Sequence, residues 1–431
     1  MKKIYERLQE TVYAETLANG LQVYLVPKPG FKQTFGLFTT NYGSIDNVFV
    51  PLGETAKREV PDGIAHFLEH QMFAEPDGDA AEKFARLGAY SNAFTSFTRT
   101  SYLFSATEYI RENLLTLVDF VQQPYFTEKG VAKEKGIIEQ EIKMYDDDPS
   151  WRIFFGLLEN LYPKHPLHLD IAGTVASIKE ITPAELLTCY RTFYHPSNMS
   201  LVVVGAIDPA ETLRWIRENQ AQKSFAPAET LQRFFPEETL ADLQPKRVEE
   251  ADVVRPKLLL GIKGSAPLPE AAAERFVYHR SLNLLLEMLL GETSEKYQEL
   301  YEEGLIDDSF SLEVDLEREL YFGILGGDTD QPEKLDEVLT KVLSEWKDSP
   351  ALTEKRFELL KRRMIGKYLQ SLNSLEFIAT RLSQKDAHTV SVFEEVPLIE
   401  KLTLADVLKA GESFLRPEAF SRFVLKPVKN A

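Results

Sequence analysis

The feature that most limits how this chain can fold is that its second half repeats the plan of its first. Each half opens with an extended apolar segment ending in Gly-Ser: Thr34–Thr39 leading to Gly43-Ser44, and Lys257–Ile262 leading to Gly264-Ser265. A helical stretch follows, then two segments with the alternation of strands. These are Ser91–Thr95 and Thr100–Ser105 in the first half, Ser309–Val314 and Leu320–Leu325 in the second. Thr127-Glu128-Lys129 recurs 226 residues later as Thr353-Glu354-Lys355, and each triplet opens a long helical pattern, Gly130–Tyr145 and Arg356–Ser371. Ile181-Thr182 recurs as Leu402-Thr403 and His195-Pro196 as Arg416-Pro417, both 221 residues on. Each half closes on a β-rich run, Met199–Val204 and Phe420–Leu425. A shared order at near-constant spacing marks a duplicated unit. It predicts an α+β fold of two homologous domains, each a mostly antiparallel sheet with helices packed on it. The expected domains are 1–218 and 251–431. The polar stretch 219–250, with Pro227, Pro236 and Pro245, reads as the linker.

Bulk properties exclude several classes. Hydrophobic content of 44% and charged content of 27% are those of a soluble globular protein. No apolar run approaches the roughly 18 residues of a spanning helix. Met1-Lys2-Lys3-Ile4-Tyr5-Glu6-Arg7 has no apolar stretch behind it and does not read as a signal peptide. The single cysteine, Cys189, excludes an internal disulfide and fits a reducing cytoplasm, the expected location. Its apolar helical context, Leu186-Leu187-Thr188-Cys189-Tyr190, marks it as a buried thiol rather than a nucleophile. A net charge of −18 argues against nucleic acid and anionic membrane as partners and is compatible with cationic peptides.

The chemistry is concentrated in His66-Phe67-Leu68-Glu69-His70. Histidines four apart share one face of a helix. Two neutral imidazoles there can grip one Zn²⁺, and the carboxylate beside the second can serve as base for a water. The order H-x-x-E-H is the inverse of the H-E-x-x-H zinc peptidase signature. A catalytic zinc usually takes three protein ligands. The helical stretch after Thr127 offers Glu134, Glu139 and Glu141, of which Glu134 and Glu141 are two turns apart on one face. Taken alone, all three also fit ordinary solvated helix carboxylates.

With its inverted zinc motif, paired glutamates and Ser91-Asn92-Ala93-Phe94-Thr95 strand, the chain resembles the pitrilysin/insulinase family of zinc peptidases along essentially its whole length. The resemblance implies two homologous domains facing each other across a cavity. It implies Zn²⁺ held by His66, His70 and Glu141, with Glu134 as a supporting acidic residue that orients one of the histidines. Glu69 would move the protons of peptide hydrolysis. Asn92 and Ala93 would pair with the backbone of a peptide substrate added to a sheet edge.

The second half departs from this pattern. Lys367 stands where Glu141 stands in the first half and Leu360 where Glu134 stands, and 282–290 has no histidine. Active family members usually carry an arginine and a tyrosine in the second domain. The matching positions in Leu300-Tyr301-Glu302-Glu303-Gly304-Leu305-Ile306-Asp307 are Tyr301 and Asp307, with Tyr297 nearby. The resemblance therefore implies a zinc endopeptidase for peptides or unfolded segments that is the zinc-bearing subunit of a pair. Its partner would be a paralogous subunit (a heterodimer) or a second copy (a homodimer). The alternative is a non-catalytic assembly or peptide-binding subunit of the same family.

Overall fold

The computed structural model describes residues 1–76, 78–384 and 389–428. Strands β1 (Lys2–Tyr5), β2 (Glu10–Thr16), β3 (Gln22–Pro27), β4 (Thr34–Thr40), β5 (Tyr90–Thr95), β6 (Thr100–Ala106) and β7 (Met199–Gly205) form one sheet, in the order β1-β2-β3-β7-β4-β6-β5. Strands β8 (Lys246–Ala251), β9 (Lys257–Lys263), β10 (Ser311–Glu317), β11 (Leu320–Asp328) and β12 (Phe420–Pro427) form the other, in the order β8-β12-β9-β11-β10. The second order reproduces β3-β7-β4-β6-β5 strand for strand. Even the one parallel pair recurs, β3 with β7 and β8 with β12, all other neighbours being antiparallel. The fold is α+β with two homologous halves. Among the described residues no helix is long and apolar enough to cross a membrane.

The helices also repeat. α1 (Ile64–Met72), α2 (Glu128–Asp146) and α3 (Pro149–Leu161) have counterparts in α4 (Ala272–Leu290), α5 (Glu354–Ser371) and α6 (Leu375–Ser383). The recurring sequence pairs turn out to be helix caps. The Thr127 and Thr353 hydroxyls accept the backbone N–H groups of Gly130 and Arg356 and so start α2 and α5. Thr182 and Thr403 form capping boxes with Glu185 and Asp406. Pro196–Asn198 and Pro417–Ala419 are single 3₁₀ turns that feed β7 and β12. Two boundaries differ from expectation: β8 takes residues 246–250 from the stretch 219–250 read as linker, because it pairs in parallel with β12, and β10 begins at Ser311 rather than Ser309. The Ser309 N–H is taken by the Asp307 carboxylate at 2.9 Å, which holds that residue in a turn.

Each sheet packs its own half's helices on one face and a helix of the other half on the opposite face. The first sheet buries Val23, Leu25, Phe38, Tyr102, Leu201 and Val203 under its own helices, α1 included. Its reverse face, with Val26, Leu37, Leu103 and Val202, packs on Leu375, Ile378, Ala379 and Leu382 of α6. Reciprocally, Ile153, Leu157, Leu158 and Leu161 of α3 pack on Phe322, Phe423 and Leu425 of the second sheet. Glycine permits the close approach there. A Cβ on Gly156 would lie 2.3 Å from the Phe423 ring. Four buried aliphatic side chains, at roughly 1.5–3 kcal/mol each, make the α3 crossing worth on the order of 10 kcal/mol before entropy.

The hairpin tips of the two halves also meet. Thr98 and Arg99, between β5 and β6, both donate to the Glu317 carboxylate at 2.6 Å. Arg318, between β10 and β11, donates to Asp46 at 2.8 Å. Asp46 is 1% exposed and its second oxygen lies 2.9 Å from Arg233. Beside the tips is a cavity of about 140 Å3 between Thr39, Arg99 and Ser200 of the first half and Glu317, Arg318 and Ser383 of the second. Removing one partner of a buried charge leaves that charge incompletely neutralised. Arg318→Leu is therefore expected to lower unfolding free energy by about 2–4 kcal/mol in urea denaturation. Arg86→Leu, which breaks an exposed pair with Glu82, should change it by less than about 1 kcal/mol.

Candidate metal centre

α1 starts at a glycine because only glycine fits there. Gly63 has φ +83°, and a Cβ would lie 2.3 Å from the Ala172 carbonyl oxygen. The helix runs between α2 and the edge strand β5 and packs on both. His66 and His70 lie one turn apart on α1, with ring centroids 4.6 Å from each other. Glu141 of α2 faces both. One carboxylate oxygen is 3.6 Å from His66 Nε2, and the other is 3.6 Å from His70 Nε2. Donor atoms of these three residues all lie within 4.8 Å of one another. Tetrahedral zinc with bonds of about 2.0–2.2 Å sets its ligand atoms roughly 3.3–3.5 Å apart. Two imidazoles and one carboxylate at this spacing fit that ion.

Glu134, two turns before Glu141, accepts from His70 Nδ1–H at 2.9 Å. That bond fixes the tautomer and turns the Nε2 lone pair of His70 toward Glu141. Of the two histidines left open as its partner by the sequence, the structure selects His70. His66 Nδ1 is buried with no hydrogen-bond partner among the described residues. Burial and then the neighbouring His70 push the His66 pKa down to about 3, so this ring is neutral and available as a donor. Burial also works against charge on His70, but the Glu134 bond and the charges of Glu69, Glu134 and Glu141 outweigh it and raise its pKa. Glu69 is 7% exposed. Burial raises its pKa, and Glu141 adds to the rise against the opposing effects of Thr95 and His70. Three carboxylates converge on two imidazoles, an arrangement whose charge calls for a cation.

Thr95 was not singled out by the sequence, yet its hydroxyl donates to Glu69 at 2.6 Å. Strand alternation could have found it once β5 was known to lie against α1, because Ala93 and Thr95 share a face. Asn92 lies on the opposite face and is exposed. Asn92 pairs with Leu103, and Ala93 with Tyr102, across β6. β5 is last in the sheet order, so its other edge is unpaired among the described residues. Neither Asn92 nor Ala93 is among the three donor residues that converge. Glu139 stands apart, paired with Lys143 at 2.7 Å on the solvent side. Tyr145, one turn beyond Glu141, interacts with its carboxylate and stacks on Trp151 at 4.6 Å.

Among the described residues of the second half no equivalent group of donors converges. In its unusual segment Tyr297 is buried and Tyr301 46% exposed, the rings stacked with centroids 6.1 Å apart. Asp307 is bound by Ser309 and by Arg255, a cation that the sequence did not connect with this segment.

Comparison with known proteins places these features. Residues 43–175 match the family model of insulinase, peptidase family M16, and residues 180–364 match the model of the M16 inactive domain. An uncharacterized zinc protease, YmfH, of Bacillus subtilis (strain 168) is 48% identical over 94% of this chain and 94% of its own length. The crystal structure of a putative M16-like peptidase from Alicyclobacillus acidocaldarius superposes with a TM-score of 0.92 at 36% identity, covering 97% of this chain and 99% of that one. A protease from Helicobacter pylori shares the fold, with a TM-score of 0.81 at 18% identity over 96% and 99% of the two chains. The insulinase match falls on the half that holds His66, His70 and Glu141, and the match to the inactive-domain model on the second half. The chain belongs to the insulinase family of peptidases, family M16, also called the pitrilysin/insulinase family.

Proposed function

We propose that this chain is a zinc-dependent endopeptidase acting on peptides or unfolded segments, and that it is the metal-bearing subunit of a two-chain enzyme. The observation that carries the reading is the convergence of His66 Nε2, His70 Nε2 and the Glu141 carboxylate, braced by Glu134 on His70 Nδ1. His66, His70 and Glu141 would hold the zinc. When bound, zinc supplies a Lewis acid that polarises the scissile carbonyl and acidifies water.

The remaining work falls to side chains. Glu69 takes a proton from the attacking water and passes one to the leaving amine. Burial and the Glu141 charge raise its pKa, which makes it a stronger base for taking the proton in the first step. Thr95 occupies one Glu69 oxygen and leaves the other for the water. The open edge of β5 takes the substrate backbone as an added strand, with Asn92 and Ala93 as its contacts. Glu134 keeps His70 in one tautomer. The second-subunit reading is supported by Tyr301 and Asp307, which stand where family members usually carry an arginine and a tyrosine. The same observation favours the second reading, a peptide-binding subunit without turnover.

Three measurements test this. Glu69→Gln should lower the rate of peptide hydrolysis by at least about 10²–10⁴-fold while zinc content by atomic spectroscopy stays at that of wild type. Retained activity would refute the role of Glu69. Glu134→Gln should weaken zinc binding by about 10–100-fold in a chelator competition, with little change in melting temperature. The purified chain alone should turn over peptides about 10²–10³-fold more slowly than its complex with a copurifying paralogue that carries the arginine and tyrosine. Full activity of the single chain would exclude the two-chain form, and a zinc-loaded complex without turnover would establish the binding-only reading.

A further inference from the structure

The repeat places a second cavity where the first half has its histidines and glutamates. It lies between α4, α5 and the edge strand β10, the counterparts of α1, α2 and β5. In both halves the two helices pack on each other and the first of them packs on the edge strand. The second cavity has a volume of about 350 Å3. Its charged lining is Arg280, Arg363, Lys367 and Arg381 against one carboxylate, Glu287.

The neutralisation of these cations is incomplete. Lys367, at the position of Glu141, has no ion-pair partner among the described residues. Arg363 is held only at 3.4 Å by Glu287 and at 3.5 Å by the exposed Glu292. Behind the wall, the fully buried Glu395 is shared by Arg381 and, at 3.4 Å, by Arg280. Arg280 Nε is buried without an acceptor among the described residues. Among the described residues four cations therefore face three carboxylates, Glu287, Glu292 and Glu395, in a chain whose net charge is −18. Crowded like charges are stabilised by an anion, and guanidinium forks match a carboxylate in particular.

The neighbouring strand says what brings that anion. β10 is last in its sheet, so its outer edge is unpaired among the described residues, and Leu312 of this strand lines the cavity. An extended peptide added to that edge would lay alternate side chains over the cavity. We propose that the cavity between α4, α5 and β10 binds a carboxylate of an extended peptide, either an acidic side chain or the C-terminus. The peptide part rests on the peptidase reading above, and the anion part rests on the cavity alone.

The test uses the full chain with Glu69→Gln, so that no turnover intervenes, and three labelled peptides of one sequence followed by fluorescence anisotropy. One has a glutamate and an amidated C-terminus. The second has glutamine in its place and a free C-terminus. The third has glutamine and an amide, and carries no carboxylate. At least one of the first two should bind about tenfold more tightly than the third, and which one does so identifies the source of the carboxylate. The preference should shrink with added salt and disappear in Lys367→Glu. Lys367 is exposed, so this variant keeps the fold, and an unchanged melting temperature verifies it. Lys367→Gln should give a smaller loss. Equal binding of all three peptides, a preference that survives Lys367→Glu, or displacement by inorganic phosphate at the peptide's own concentration would overturn the proposal. Failure of the zinc reading is separable. A carboxylate preference in a chain that neither binds zinc nor cleaves peptides would sink the peptidase and leave the cavity, whereas neutral-peptide cleavage without the preference would do the reverse.

Discussion

Everything in this structure depends on the exchange of α3 and α6 between the halves. A sheet with two apolar faces needs cover on both. Here each half provides helices for one face of its own sheet and one helix for the far face of the other. Neither half is a closed globule alone, so the chain folds as a mutually completed pair. The crossing helices directly follow α2 and α5 in sequence. The exchange therefore also fixes the direction in which α2 leaves the first sheet, and with it the position of Glu141 opposite α1. The candidate donors His70 and Glu141, 71 residues apart in sequence, are thus brought together by packing that belongs to neither donor helix alone.

The centre itself is an electrostatic compromise imposed by burial. His66, buried and neutral, is a ready donor, but its Nδ1 has no partner to brace it. His70 has the brace and lies next to three carboxylates, which favour positive charge there. Unpaired, those carboxylates would repel one another in a poorly solvated site. A divalent cation resolves both problems at once: it takes the lone pairs of two neutral rings and neutralises the carboxylates around them. The burial that disfavours the Glu69 anion in this cluster and raises its pKa would also suit it to take up a proton from water.

Much of the fold was legible because the repeat is written in residues whose roles are local. Thr127 and Thr353 start helices by accepting one backbone N–H each, and that chemistry depends only on the next three residues. His66, His70 and Glu69 were legible for the same reason, being one turn of one helix. Glu141 required the resemblance, because no local rule says which glutamate of α2 faces α1. The rest was hidden by distance along the chain. The apolar pattern of Trp151–Leu161 announces a buried face but not whose sheet it covers. The tie between Asp46 and Arg318 joins residues 272 positions apart. Thr95 lay inside a recognised strand, but its bond to Glu69 depends on how that strand sits against α1.

Duplication followed by divergence leaves two equivalent positions with opposite charge. Between α1, α2 and β5, carboxylates and imidazoles converge and favour a cation. Between α4, α5 and β10, guanidinium and ammonium groups converge and favour an anion. Both positions lie beside an unpaired sheet edge, so the feature common to the two halves is the place for an extended chain, not the chemistry beside it. The divergence also removes something. Arg255 reaches the end of the family's usual arginine and tyrosine segment, and its guanidinium is committed to Asp307 and Asp330. A guanidinium bound to two carboxylates is a poor donor to a developing oxyanion. The second half of this chain thus gathers cations rather than metal donors beside its sheet edge, and on the proposed two-chain reading the oxyanion donor would come from the partner subunit.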